Sequence, residues 1–320
     1  MNRRSSFAIG LISILVLAGC SDSDGPDAAS SAPDGLPDTL SMGVGPLETI
    51  TETAAQWDAY ITAVEQALDV EIVLLEATES VGVIEAAIAG DLDIVHLGPF
   101  GQMLAFDNGA ELVTVGATGP TPDGPNNAAL GAVRADSDIE ELADLEGRDV
   151  CFVSATSTTG YLFAAAALEG LGIDPEADIN GVFVGDHANA VRQMLDGECD
   201  AAFSFREQIE VLTPQNEDGV EPEDLKVIFR QEVPEGGLTI SKQLSEAAQE
   251  RLAQALLDSN GTAIAEAEGC GNLPIEEHTD GSPYCRVIAG ESWGLVAVDD
   301  TYWQPVRDVC EATNAPACDG

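Results

Sequence analysis

"RDVCFVSATSTTGYLFAAAALEGLGI", residues 148–173, decides how this chain is read. "RDVCFVS" has the apolar make-up of a buried strand, and Tyr161 to Leu171 is apolar enough for a buried helix. Between them stand the hydroxyl side chains of Ser154, Thr156, Ser157, Thr158 and Thr159, and then Gly160. A strand that turns directly into a helix is the unit of a parallel α/β sheet. A helix start leaves its first four N–H groups without intrahelical partners and carries roughly half a positive charge, so it suits an anion. Hydroxyls add donors there without adding charge. One Ser or Thr is enough to cap a helix. The surplus points to binding, with a simply capped helix as the plainer alternative.

The same alternation runs along the chain. On the N-terminal side it predicts strands at Thr39–Val44, "VEIVLLEA", "LDIVHLG" and "ELVTVGAT". Helices are expected at Glu52–Leu68, Val81–Ala89 and Phe100–Phe106, the first with Trp57, Ile61, Val64 and Leu68 at helical spacing. "VEIVLLEA" reads as a buried strand. A second unit of similar build has strands at "ALGAVRA", "RDVCFVS", "NGVFVG", "CDAAFSF" and "LKVIFRQE", with helices at Ile139–Leu145 and Asn189–Leu195. "GLTISKQL" follows, and Ser245–Ala267 reads as one long amphipathic helix with Leu252, Leu256 and Ile264 on a face. Two such units joined twice describe an α/β clamshell of two lobes, each a mostly parallel sheet flanked by helices. The crossings are expected near Leu130–Arg134 and Ile228–Gly237. Sheets of this kind bind ligands outside the carboxyl ends of their strands, where Gly45-Pro46 and Gly98-Pro99 lie.

The N-terminus is a targeting segment. Arg3 and Arg4 precede an apolar run, Phe7–Leu17, too short to span a bilayer. Leu17-Ala18-Gly19-Cys20 resembles a bacterial lipobox, which implies cleavage before Cys20 and acylation of its thiol. An ordinary secretory signal is the alternative. Residues 21–37 hold almost nothing to bury and read as a solvated tether. The organisation is therefore 1–19 signal peptide, 20–37 acylated cysteine and tether, 38–130 first lobe and 131–232 second lobe. Residues 233–320 return to the first lobe and end in a disulfide-stapled segment.

The chain carries 57 acids against 12 bases, a formal net charge of −45. Nucleic acid needs a basic footprint, so it is excluded as a partner. A surface this acidic suits a salt-rich habitat, where a Debye length of about 3 Å at 1 M salt mutes self-repulsion. Besides Cys20 the cysteines are Cys151, Cys199, Cys270, Cys285, Cys310 and Cys318. An even number in an exported chain reads as disulfides. Many pairings are open. Local spacing favours Cys270–Cys285 and Cys310–Cys318, which leaves Cys151–Cys199. No Cys-x-x-Cys spacing supports a metal site, and only His96, His187 and His278 could help one.

"GVIEAAIAGDLDIVHLGP" (82–99), "DLEGRDVCFVSATSTTGYLFAAAALEGLGI" (144–173) and "FVGDHANAVRQMLDGECDAAF" (183–203) together resemble the periplasmic phosphonate-binding proteins of ABC importers, a family that also includes phosphite and phosphate binders. "MGVGPLET" (42–49) adds a weaker match. The resemblance implies a type 2 periplasmic-binding-protein fold, no enzymatic chemistry, no cofactor, a monomer and a membrane permease as partner. It implies that Ser157, Thr158 and Thr159, before Gly160, hold the phosphonate oxygens, and that His187 faces the same anion. The family's Asp after that histidine is Ala188 here. Glu207 stands where the family places an acid that pairs with the amine of an aminophosphonate, and Arg206 beside it could instead meet the anion. The family's two ligand-lining tyrosines fall at Ser80 and near Asn127 or Ala128, which widens the pocket and argues against a simple aminoethyl-type ligand. Phe100 is either apolar pocket wall or ordinary core.

The function expected is that of a lipid-anchored, extracytoplasmic receptor which closes on a phosphonate or related phosphorus oxyanion. An exported hydrolase using Ser157 or Thr158 with His187 is the alternative from another class. It lacks an orienting acid after the histidine and a Gly-x-Ser-x-Gly turn. A ligand-sensing subunit of a signalling system is a third reading.

Overall fold

The computed structural model describes residues 35–45, 50–75, 80–119, 121, 127–216, 219–267, 269–278, 281–288, 292–299, 301–313 and 318. The signal peptide, Cys20 and residues 21–34 of the tether lie outside these residues, but the expected tether runs too far: Leu36 is buried in the first-lobe core, so the folded part begins before Asp38. The chain begins as β1 (Thr39–Val44), α1 (Ile50–Leu68), β2 (Glu71–Leu75), α2 (Ser80–Ala89), β3 (Ile94–Leu97), α3 (Pro99–Asp107) and β4 (Leu112–Gly119). It crosses into β5 (Asn127–Arg134), β6 (Asp149–Phe152), α4 (Phe163–Gly170), β7 (Asn180–Phe183), α5 (His187–Leu195), β8 (Ala201–Phe205), α6 (Thr213–Asn216) and β9 (Leu225–Val233). It then returns as β10 (Gly237–Ser241), α7 (Glu246–Asp258), α8 (Gly261–Ala267), β11 (Ile275–Glu277), β12 (Pro283–Cys285), β13 (Gly294–Val296) and α9 (Gln304–Thr313).

The first lobe is a six-stranded sheet in the order β13-β4-β10-β3-β1-β2, and the second a five-stranded sheet in the order β7-β6-β8-β5-β9. β1 pairs parallel with β2 and β3, and β6 pairs parallel with β7 and β8. The antiparallel members are the two strands at the crossings and the edge strand β13: β10 runs against β3 and β4, β5 against β8 and β9, and β13 against β4. The two lobes are thus the mostly parallel α/β sheets that the alternation predicts. The first crossing comes earlier than expected, because residues 127–130 already pair with β9. The second runs from Val233 to Gly237.

Burial explains which strands are central. β3 is buried throughout, and β5 nearly so, as continuous apolar runs in two-sided sheets should be. β2, by contrast, is an edge strand with Val73 and Leu75 exposed, so "VEIVLLEA" is not the buried strand expected. β7 is the matching edge of the second sheet and is exposed along its length. On α1, Trp57, Tyr60, Ile61, Val64 and Leu68 are buried against β1 and the β10 side of the first sheet. In the second lobe Phe152 stacks on Phe203 at 5.5 Å and meets the edge of Tyr161 at 5.1 Å, a favoured aromatic geometry.

The long C-terminal helix predicted over Ser245–Ala267 is broken at Ser259-Asn260. The chain turns there so that α8 can lie on β12. A Cβ on Gly261 would fall 1.8 Å from the carbonyl oxygen of Cys285, so only glycine permits this approach. Leu252 and Leu256 of α7 and Ile264 of α8 still enter one core. The segment Ile139–Leu145 forms only a 3₁₀ turn, Leu142–Leu145. After the two-stranded β11–β12 ribbon, the C-terminal segment ties the lobes together. α9 packs against both α3 and α4, and Arg307 pairs with Asp107 at 2.8 Å.

The disulfides are Cys151–Cys199, Cys270–Cys285 and Cys310–Cys318, with Cα separations of 5.8, 5.4 and 5.6 Å. They close sequence separations of 48, 15 and 8 residues. Because loop-closure entropy grows with loop length, the loss on replacing each pair by alanine is expected to rank in that order. The values are about 4, 3 and 2.5 kcal/mol, and urea titration of the three double mutants checks the ranking.

Candidate functional site

The two lobes enclose a cavity of about 440 Å³. Its wall is made where strands end: Gly45 after β1, Leu97-Gly98 after β3, Thr118 in β4, Val153-Ser154 after β6, Phe183 of β7 and Phe205-Arg206 after β8. This is the carboxyl side of both sheets. Because each parallel strand leads into a helix, helix beginnings arrive at the same place. Ser80 opens α2, Gly98-Pro99 opens α3, Ser157 opens the helical run Thr158–Gly170, and Asp186-His187 opens α5. Four helix N-termini therefore converge on one cavity, each with N–H groups that have no intrahelical carbonyl partner and with a partial positive charge.

The hydroxyl-rich turn lies at the cavity, and its groups are partly spent on structure. The helix it starts is widened over Thr158–Leu162 into a π turn, a distortion common at functional sites. Ser157 is its N-cap, and its Oγ accepts the N–H of Gly160 at 3.1 Å. Gly160 presses on the strand end: a Cβ there would sit 2.4 Å from Val153 Cγ2 and 2.9 Å from Ser157 Oγ. Thr158 Oγ1 accepts the N–H of Phe100 at 3.0 Å, joining the second lobe to the N-terminus of α3 in the first. Thr159 is buried and lines the cavity, while Ser154 and Thr156 share a hydrogen bond at 3.3 Å.

Both halves contribute a histidine. His187 Nδ1 is hydrogen-bonded to the buried Ser204 Oγ at 2.9 Å, which leaves Nε2 for a ligand. Its ring meets Phe205 edge-on at 4.8 Å. His96, at the end of β3, was not expected as a binding residue. It lies against Trp57 at 4.7 Å, lines the cavity, and its buried Nδ1 has no hydrogen-bond partner. Its position at a strand's carboxyl end beside Gly98-Pro99 was the signal that could have found it. No hydrogen bond joins His187 to Ser157 or Thr158 among the described residues, so no nucleophile–base pair is assembled.

Several expected ligand contacts take other roles. The Phe100 side chain is fully buried in a core cluster that joins the first lobe to Leu162 and Phe163 of the second, and it does not line the cavity. Only its N–H reaches the site, through Thr158. Asn127 lines the cavity, but its Nδ2 donates to Glu235 Oε2 at 3.0 Å and its Oδ1 accepts the N–H of Ala128. Glu207 also lines the cavity, yet its carboxylate receives Arg286 Nη1. Arg286 comes from the segment after β12 and also pairs with Glu276 at 3.1 Å. Glu235 is a further cavity residue that the sequence did not reveal. It sits in the second crossover, where its N–H donates to the Tyr302 hydroxyl and its carbonyl accepts Trp303 Nε1, both at 2.9 Å. Nothing in Pro234-Glu235-Gly236 marks it, because its place follows from the crossing.

Burial sets the charge state here. It drives His96 and His187 down to about 4. It raises Glu235 to about 7, with Glu207 adding to the rise and the Asn127 hydrogen bond and Arg206 opposing it. The signs are opposite. The unfolded histidines bind protons below about 6.5 and the folded ones do not, so their stabilisation is lost as pH falls from about 6.5 to 4. Glu235 favours the fold at low pH, and that contribution is lost as pH rises from about 4.5 through 7. His187→Asn, whose amide can still meet Ser204, is expected to flatten the acid limb of a Tm–pH curve, by an effect on the order of 1 kcal/mol. Glu235→Gln is expected to raise Tm at pH 8 and leave it unchanged at pH 4.5.

Comparison with known proteins agrees with this geometry. Residues 42–273 match the family model described as "ABC transporter, phosphonate, periplasmic substrate-binding protein". The chain is 30% identical over 315 residues to the phosphate-import protein PhnD of Mycolicibacterium smegmatis, covering 96% of this chain and 95% of the relative. A binding-protein component of an ABC phosphonate transporter from Pseudomonas aeruginosa superimposes with a TM-score of 0.68 at 20% identity, over 85% of each chain. PhnD1 of Prochlorococcus marinus in complex with methylphosphonate does so with a TM-score of 0.70 at 14% identity, over 87% of this chain and 99% of that one. These relatives give no support to the hydrolase or signalling alternatives. The chain belongs to the phosphonate family of periplasmic substrate-binding proteins of ABC transporters, whose members bind solute for import and are not enzymes.

Proposed function

We propose that this protein binds a phosphorus oxyanion, phosphate or a small phosphonate, between its lobes and presents it to its permease while tethered through a lipid on Cys20. It acts as a monomer. The observation that carries the reading is the convergence of four helix N-termini on one cavity edged with hydroxyls. Such a site holds a tetrahedral oxyanion by N–H and O–H donors without lysine. Ser157, whose Oγ accepts from Gly160, keeps its hydroxyl proton to donate. Thr159, Ser80 and the Nε2 of His187 complete the set, with His96 facing them from the first lobe. Thr158 serves closure, since its bond to the Phe100 N–H forms only where the lobes meet. The ligand then shifts the open–closed balance by fitting the closed form better.

The relative named for phosphate import and the neighbour holding methylphosphonate support the ligand class. A thermal-shift and calorimetric series with phosphate, phosphite, methylphosphonate and sulfate tests it. A phosphorus oxyanion at 100 times its Kd is expected to stabilise the protein by about 2.7 kcal/mol. If none of the phosphorus compounds stabilises it, the reading fails. Glycine at an N-cap costs only a few tenths of a kcal/mol relative to serine, so Ser157→Gly separates binding from capping. It is expected to weaken affinity at least tenfold while Tm without ligand barely moves. Gly160→Ala is expected to lower both, because its methyl would displace Val153 and the Ser157 hydroxyl together.

A further inference from the structure

Among the described residues, the acids that line the cavity are all occupied by the protein itself. Asp186 accepts the N–H of Asn189 at 2.6 Å as the N-cap of α5. Glu235 is held by the Asn127 amide at 3.0 Å. Glu207 is held by Arg286, whose side chain, like that of Glu207, is mostly buried. Arg286 is not a cavity-lining residue. It reaches Glu207 from behind, out of the C-terminal segment, and is itself braced by Glu276. A carboxylate in a cavity is the natural partner of a ligand ammonium. Here the strongest such partner is already neutralised by an internal guanidinium. Exchanging that guanidinium for a ligand cation would leave Arg286 buried without its main counter-charge, and breaking a buried pair is costly.

Resting on the proposed phosphorus-oxyanion reading, we propose that Arg286 is a specificity-determining residue: by holding Glu207 it abolishes the cavity's cation subsite and restricts the protein to oxyanions that carry no ammonium group. Arg286 acts through Glu207 and touches no ligand. Its function is selection among ligands, beyond fastening the C-terminal segment.

The test compares ethylphosphonate with 2-aminoethylphosphonate, which differ by the amine, in calorimetry on the full-length protein. The wild type is expected to bind the amine compound no tighter than its parent. In Arg286→Gln the freed Glu207 is expected to favour the amine compound by at least tenfold relative to the wild-type ratio. Glu207→Gln combined with Arg286→Gln is expected to restore the wild-type ratio, and Arg286→Lys to keep it. A purely structural role would change both affinities alike and leave the ratio fixed, which overturns the proposal. A wild-type preference of tenfold for the amine also overturns it, and decides alone if Arg286→Gln does not fold. Phosphate and methylphosphonate run beside these as controls: if they fail to bind the wild type, the oxyanion reading fails first.

Discussion

Everything at this site depends on the direction of the backbone. Parallel strands that all end on one side send every following helix off from that side, so the amide-rich ends of α2, α3, α5 and the Thr158–Gly170 helix meet without any special sequence to guide them. Side chains only refine this arrangement. A chain with 57 acids and 12 bases could hold an anion by a patch of lysines only at the expense of its own charge character. Fixed dipoles and hydroxyls do so locally, and within a shielded cavity they weaken less with salt than exposed charges do.

The fold was largely readable because its signal is repetitive. Each strand–helix unit announces itself by period and by a glycine at its end, as "LDIVHLGP" and "RDVCFVSATSTTGYL" do. The errors fall where long-range packing overrides the local pattern. "VEIVLLEA" has the composition of a central strand, yet the order of the sheet puts it at an edge. The helix after Ser245 keeps its apolar periodicity through Asn260-Gly261, yet it breaks there, where β12 passes within contact of Gly261.

The site was half readable for the same reason. The turn at Ser157 and the histidine at position 187 are local motifs beside strand ends, and both line the cavity. Glu235, Arg286 and the second role of Asn127 arise from segments far apart in sequence, and no spacing rule brings them together. Phe100 shows the reverse case. Its position next to the loop was inferred well, but its ring turns into the core and its backbone does the work.

Glu207 and Arg286 divide these lessons between them. The acid is where a ligand-facing group belongs, and its meaning is set by a residue that enters from another part of the chain. Chemistry at a binding wall therefore cannot be read from the wall alone.

The strap formed by α9 fastens one flank of the two lobes. Because that helix lies across α3 and α4 at once, the flank it covers behaves as the spine of a book, and the Tyr302 and Trp303 bonds to the second crossover stitch the spine to the page fold. Parting the lobes on that flank would break these bonds together with the contacts of α9.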